Sequence, residues 1–121
     1  MALVMGWDEW VRHDAVALAG RVRAGEVTPA ELAAQVAAGV ARVNPALQAV
    51  VELFDDALAD PVGAGANAGG FFAGVPFLMK DLGPTMAGRL QEMGSRFMQG
   101  NRATEDAFLT QQMRRAGLNL L

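Results

Sequence analysis

The sequence predicts an α/β fold, in which helices pack on a sheet that contains parallel strands. Two segments in the first half, 14–24 and 28–43, carry apolar residues at helical spacing. Two short apolar runs bounded by glycine or proline, 74–80 and 118–121, are typical of buried strands. The second half therefore has the order strand, long loop, helix and strand. This is the order of a βαβ unit, whose sheet is normally covered by helices.

The two N-terminal helices have clear start or stop signals. Helix 14–24 precedes Gly25, a residue type that favours a helix C-terminal cap. Helix 28–43 starts with Thr-Pro-Ala-Glu, a capping box with proline at the first helical position. Its apolar residues, three or four positions apart, are Leu32, Val36, Val40 and Val43. We expect this helix to end at Asn44, because Pro45 disfavours helical geometry in the residue before it.

The middle of the chain is less regular. Residues at about 48–54 are predicted as a strand entered from a turn, and residues 55–59 as a short helix. Residues 62–70 form a loop with four glycines. This loop has neither a Lys-Ser/Thr pair after it nor a GxGxxG pattern before a helix. The sequence therefore gives little support for a phosphate or nucleotide site.

The last part of the chain is predicted to contain an active-site loop. Residues 82–100 are rich in glycine, methionine and polar residues, and long irregular segments in α/β proteins are commonly functional. Thr104 is the expected cap of helix 105–116, which has acidic residues in its first turn and arginines in its last. Strand 118–121 follows. Because the sheet then lacks further strands, we expect residues 1–121 to be the N-terminal segment of one larger domain.

The composition argues against several classes of function. The 121-residue chain has a net charge of −3 and no run of basic residues, so nucleic-acid binding is not expected. It has no cysteine and one histidine, which excludes thiol nucleophiles and sites with several histidines. We predict no metal and no cofactor. The sequence shows no signal peptide and no stretch of membrane-spanning length, so we expect a cytoplasmic protein without a membrane partner.

Lys80 is the candidate catalytic residue. It is the only lysine, and the other nine basic residues are arginines. It follows the apolar residues 75–79, which could favour a neutral amine by desolvation, whereas an arginine would keep its charge. Asp81 would oppose this only if it lay close, and adjacent strand residues point to opposite faces. From the residues alone, the commoner interpretation is that Lys80 is half of an ion pair at a strand end. A pair with Ser95, the only serine, in which the lysine is the base, is the catalytic alternative within this segment.

Five segments, in the right order, resemble the amidase signature family. The segment from Gly74 to Leu82, Gly-Val-Pro-Phe-Leu-Met-Lys-Asp-Leu, is similar to the family's motif of Gly-Val-Pro, apolar residues and Lys-Asp. The other similar segments are Thr28–Leu32, Val43–Val51, Glu92–Arg96 and Asp106–Leu121. Within the family, Lys-Asp-Leu and the helix with Gln-Gln-Met-Arg-Arg-Ala-Gly are similar to the 6-aminohexanoate-cyclic-dimer hydrolase branch.

The resemblance implies an α/β/α sandwich with a mixed central sheet, of which this chain forms the N-terminal part. It also implies amide hydrolysis by a Ser–cisSer–Lys triad, with Lys80 as the lysine that accepts a proton through a bridging serine. Ser95 matches an earlier Gly-Ser loop, so both catalytic serines and the oxyanion loop are expected beyond residue 121. The implied substrate is a small-molecule, non-peptide linear amide. The implied partner is the remainder of the amidase domain, in the same or a separate chain.

The alternative is a non-catalytic fragment or an interaction subunit, and a homodimer is compatible with either function. No substrate-binding residue is assigned from the sequence.

The first prediction concerns residues 1–121 alone. Because the family's nucleophile is expected outside this segment, the purified fragment should show no amidase activity in an assay of amine release. Turnover by the fragment that disappears in Ser95→Ala would instead establish a local Ser95–Lys80 pair.

Overall fold

The computed structural model describes residues 2–63 and 65–121. The helices are α1 (Trp7–Trp10), α2 (Ala15–Arg23), α3 (Pro29–Leu47), α4 (Asp55–Ala59) and α5 (Phe108–Arg115), and a 3-10 helix spans Arg96–Met98. The strands are β1 (Pro76–Phe77) and β2 (Asn119–Leu120), which pair in parallel with Pro76 opposite Asn119. Helices with a small parallel sheet are consistent with part of an α/β domain.

Helix α3 starts with the capping box that its sequence predicts. The Thr28 hydroxyl oxygen accepts the Glu31 backbone N–H at 3.2 Å, and the Glu31 carboxylate accepts the Thr28 backbone N–H at 2.8 Å. The backbone N–H and the hydroxyl of Thr28 together lower the pKa of the Glu31 carboxyl. The start of the longest helix is thus fixed by local hydrogen bonds.

The end of α3 differs from the expectation that it stops at Asn44. The helix continues through Pro45 to Leu47, and Gln48 leaves it in the left-handed conformation with φ 48°. Proline removes only the hydrogen bond that its own nitrogen would donate four residues back. At the last turn of a helix this loss is small, because few further bonds depend on it.

The predicted strand at 48–54 is wrong, and Asn44 explains why. Its side-chain amide donates to the Val50 carbonyl at 2.7 Å. Its Oδ1 atom accepts the backbone N–H groups of Ala49 at 2.8 Å and Val50 at 2.9 Å. Backbone groups that a sheet would need are therefore bonded to a side chain. Residues 48–54 instead form an irregular segment that leads into α4.

The glycine-rich loop covers the C-terminal end of α5. Asn67 donates its backbone N–H to the Arg114 carbonyl at 2.9 Å and its side-chain amide to the Arg115 carbonyl at 2.9 Å. Phe72 donates to the Ala116 carbonyl at 2.8 Å. The loop thus supplies donors to free helix carbonyls. The carbonyl end of a helix disfavours anions, which agrees with the weak sequence support for a phosphate site.

Both strands are shorter than predicted. Of residues 74–80 only Pro76–Phe77 form a strand, and of residues 118–121 only Asn119–Leu120 do. The two backbone segments that lead into the strands are in close contact. Gly74 donates to the Gly117 carbonyl at 3.0 Å, and both glycines have positive φ, 77° and 91°. A β-carbon on Gly74 would overlap the Pro29 ring, and one on Gly117 would meet the Ala73 backbone at 2.7 Å.

Two buried clusters meet at this strand pair. The first joins residues of the N-terminal segment, α2, α3 and the start of β1, namely Met5, Leu18, Ala19, Val27, Leu32 and Val75. The second joins α4, β2 and the long loop, namely Phe54, Ala57, Met86, Leu120 and Leu121. Leu118 packs against both clusters. The strand pair therefore lies between them.

Helix α5 starts at Phe108, three residues later than predicted, and Thr104 does not cap it. Asp106 instead accepts the Ala87 backbone N–H at 2.8 Å and the Arg114 Nε–H at 2.7 Å. These bonds attach the 82–100 loop to the helix. Phe108, the first residue of the helix, is 74% exposed.

The Asn44 hydrogen bonds should contribute to stability. We expect Asn44→Ala to lower the free energy of unfolding by about 1–3 kcal/mol, because it leaves three backbone groups without their partner. Urea unfolding measures this difference. The control is Ala46→Ser, an exposed neighbour on the same helix, which should cost below about 0.5 kcal/mol. An equal effect of both substitutions would contradict the role of Asn44.

Candidate active site

The residues that follow β1 line a cleft of about 570 Å³. Lys80, Asp81 and Leu82 line the cleft directly after the strand. Two other segments complete its walls: residues 49–52 with Phe54, and residues 92–94 of the long loop. The lining is mainly apolar, with Val50, Leu78, Met86 and Met93 among its side chains. The segment that the sequence singles out therefore contributes to a cleft at the end of β1.

Lys80 is exposed at this cleft. Within the part of the chain that the structure describes, its amine has neither a hydrogen bond nor an ion pair. The four ion pairs among these residues are Arg21–Glu9, Arg21–Glu26, Arg89–Asp56 and Arg114–Asp106. The interpretation of Lys80 as half of a strand-end ion pair therefore has no support here.

Asp81 is directed into the long loop. Its Oδ1 atom accepts the Glu92 backbone N–H at 3.0 Å, and its backbone carbonyl accepts the Gln91 side-chain amide at 3.0 Å. The sequence raised only the question of whether Asp81 lies close to the lysine amine. A hydrogen bond to a backbone eleven residues away leaves no periodic signal in a sequence, and the candidate role of Asp81 was missed for that reason.

Ser95 is half-buried behind the turn that borders the cleft. Its backbone N–H donates to the Glu92 carbonyl at 2.9 Å, and its carbonyl accepts the Met98 N–H at 3.1 Å. Glu92, Met93 and Gly94 line the cleft, whereas Ser95 does not. The structure therefore does not bring Ser95 and Lys80 together as lining residues of one cavity.

The opposite wall contains a cation stacked on an aromatic ring. The Arg89 guanidinium lies 3.9 Å from the Phe54 ring centroid, and its Nη2 atom donates to both carboxylate oxygens of Asp56 at 2.7 Å. The hydrogen bond from Arg89 lowers the pKa of the Asp56 carboxyl. Arg89 thus joins the 82–100 loop to α4. The separation of 33 residues between the two partners gave no sequence signal.

Other classes of site find no support in residues 2–63 and 65–121. No three histidine, aspartate or glutamate side chains are grouped there in a way that could hold a metal ion. Every helix in these ranges is too short or too polar to cross a membrane.

The Arg89–Asp56 ion pair predicts a pH-dependent contribution to stability. Because folding lowers the Asp56 pKa, the contribution is present above the unfolded pKa of about 3.9 and is lost as pH falls through the lower folded value. In a double-mutant cycle with Asp56→Asn and Arg89→Gln, the coupling measured by urea unfolding should be favourable at pH 7. It should start to fall as pH drops below about 3.9, vanish only below the lower folded-state pKa of Asp56, and decrease in high salt. A coupling that is constant across this pH range would contradict the prediction.

Comparison with known proteins adds independent observations. Residues 31–121 match the model of the Amidase family. The chain is 40% identical over 117 residues to 6-aminohexanoate-cyclic-dimer hydrolase of Pseudomonas sp. (strain NK87), covering 94% of this chain and 22% of that protein. It is 32% identical over 113 residues to lipoamidase of Enterococcus faecalis, covering 93% of this chain and 16% of that protein.

A solved structure of 6-aminohexanoate cyclic dimer hydrolase is also similar, with a TM-score of 0.79 and 40% identity. The match covers 90% of this chain and 22% of that chain, so residues 1–121 span about a fifth of the length of this relative. The resemblance inferred from the five sequence segments is confirmed. The chain belongs to the amidase family.

Proposed function

We propose that this chain supplies the catalytic lysine, Lys80, to an enzyme that hydrolyses carboxylic amides by a Ser–cisSer–Lys mechanism. In this mechanism the Lys80 amine accepts a proton through a bridging serine, and a second serine attacks the amide carbonyl. Backbone N–H groups stabilise the oxyanion that forms. Family membership supports the reaction class.

The observation that carries the assignment of Lys80 is its position without a partner at the cleft. Three acidic residues, Glu52, Asp81 and Glu92, line the cleft with Lys80, and none forms an ion pair with it among the described residues. Asp81 accepts the Glu92 backbone N–H, and the Glu92 side chain accepts the Gly100 N–H at 2.7 Å. The amine therefore stays available to a group that enters the cleft. Residue types alone also favour lysine for this role, because an arginine cannot act as a base at neutral pH.

The remaining catalytic groups are proposed to come from polypeptide outside residues 1–121. Ser95 is the only serine and does not line the cleft. The relatives are about five times longer than the segment they share with this chain, since the match covers 22% of their length. We propose that the additional polypeptide supplies both serines and extends the two-stranded sheet into an α/β/α sandwich with a mixed central sheet.

The proposed substrate is a small aliphatic amide. Apolar side chains dominate the cleft, and they suit the methylene groups of such a compound better than a charged one. Two of the similar proteins are named 6-aminohexanoate-cyclic-dimer hydrolase and lipoamidase. Linear non-peptide amides were expected from the sequence, so a test of substrate class should include one linear and one cyclic amide.

A second candidate function is that of a non-catalytic interaction subunit. It is favoured by an apolar groove of about 620 Å³ between α1, α3 and β1, which includes Trp7, Val40, Phe77 and Leu78. Gln35 lines this groove, is fully buried, and has an Oε1 atom without a hydrogen-bond partner among the described residues. Light scattering discriminates, because a stable monomer of residues 1–121 would contradict an obligatory partner.

Substitution of Lys80 tests the proposed function in the full-length protein. We expect Lys80→Arg and Lys80→Ala each to lower kcat by at least about 100-fold, because general base catalysis contributes about 100- to 10,000-fold. Lys80→Arg is the informative variant, since it keeps the positive charge and removes the base. The matched control is Arg12→Lys on an exposed N-terminal position, which should leave kcat unchanged. Near-normal activity of Lys80→Arg would exclude the proposed role.

A further inference from the structure

We infer that Asp81 is a positioning residue, whose carboxylate holds the Glu92–Gly94 turn against the segment that follows β1 and so fixes the part of the cleft wall that this turn forms. This inference rests on the proposed function, because the cleft is taken to be the place where the amide is bound. The role is distinct from acid–base chemistry, since it requires a hydrogen-bond acceptor and not a proton carrier.

Two hydrogen bonds in parallel join Asp81 to the loop. The Glu92 backbone N–H donates to its Oδ1 atom, and the adjacent Gln91 side chain donates to its carbonyl oxygen, both at 3.0 Å. Gln91 is itself buried, with 8% of its surface exposed. Its backbone N–H donates to the Asn101 carbonyl at 2.8 Å, and its carbonyl accepts the Asn101 side-chain amide at 3.1 Å. Asp81 is therefore bonded to a segment that the returning part of the loop also holds.

The turn held by Asp81 borders the cleft directly. Glu92, Met93 and Gly94 all line it together with Lys80. Met93 and Gly94 are both left-handed, with φ 54° and 66°, and the turn closes through the bond from the Ser95 N–H to the Glu92 carbonyl. A left-handed methionine costs conformational energy, so this turn needs contacts that maintain it. Glu92, whose backbone N–H donates to Asp81, is the residue immediately before the two left-handed residues.

The same contacts argue against a role for Asp81 as the counter-ion of Lys80. The two side chains form no ion pair among the described residues, and the Asp81 Oδ1 atom faces a neutral backbone N–H. A neutral amide oxygen can accept that N–H equally well by geometry. Asparagine should therefore replace Asp81 with little loss, whereas alanine should not.

The test compares Asp81→Asn and Asp81→Ala in the full-length protein. We expect kcat/KM of Asp81→Asn within about fivefold of wild type, with an unchanged pH profile, because the acceptor is kept. For Asp81→Ala we expect a loss of about 10- to 100-fold, mainly through KM, because displacement of a site wall by an ångström can cost 100-fold. The matched control is Asp55→Ala, an exposed aspartate that does not line the cleft, which should match wild type.

Hydrogen exchange of the peptide that contains residues 92–95 provides a readout independent of turnover. Exchange should be at least about tenfold faster in Asp81→Ala than in wild type, and unchanged in Asp81→Asn. Equal losses in both variants together with a shifted pH profile would show that the charge of Asp81 acts, and would overturn the inference. So would exchange and kcat/KM of Asp81→Ala within twofold of wild type.

Different results would contradict the proposed amide hydrolysis and the proposed role of Asp81. A wild-type protein that hydrolyses neither a linear nor a cyclic amide contradicts the proposed function, and the exchange measurement still decides whether Asp81 holds the turn. If Asp81→Ala does not fold, Asp81→Asn decides alone, since a loss above tenfold or a shifted pH profile contradicts a purely positional role.

Discussion

The parallel pairing of β1 with β2 is the constraint on which the rest of this structure depends. The pair is only two residues long on each side, yet it continues through bonds from Leu121 to the Phe77 carbonyl at 2.9 Å and from Met79 to the Leu121 carbonyl at 3.2 Å. Val75 belongs to one buried cluster, and Leu120 and Leu121 belong to the other. Because the backbone pairing fixes the chain up to Met79, it also fixes where residues 80 and 81 leave the sheet.

The charged residues that line the cleft differ in their hydrogen-bond partners. Arg89 is bonded to Asp56 and stacked on Phe54, so its charge is already used on the protein itself. Asp81 is bonded to a backbone N–H. Lys80 is the basic side chain of the lining that has no such bond among the described residues. Among the charged side chains of the lining, Lys80 and Glu52 have no hydrogen bond or ion pair to the described residues, and Lys80 is the cation left to interact with a ligand.

Sequence reasoning was most successful where the determinants are local. The Thr28–Glu31 capping box and the short helix at 55–59 depend on residues within one helical turn, and the structure has both. The strand predicted at 48–54 failed, because apolar composition does not reveal that Asn44 binds the backbone of Ala49 and Val50. The candidate lysine was recognised from its rarity and from family resemblance. The surroundings of this lysine could not be predicted, because they depend on the bond between Asp81 and Glu92 and the ion pair between Asp56 and Arg89. The partners in these pairs are 11 and 33 residues apart.

Pro76 has a consequence for how this sheet can grow. Val75, Phe77 and Met79 direct their backbone groups toward β2, so by alternation Pro76 and Leu78 face the opposite edge. Proline has no N–H, and that edge therefore offers carbonyl acceptors at both positions but a donor only at Leu78. Along residues 76–78, a third strand could donate to either carbonyl but could accept a hydrogen bond only from the Leu78 N–H, two residues before Lys80. Pro76 thus restricts the register of an incoming strand, and the donor that remains, at Leu78, belongs to a residue that lines the cleft.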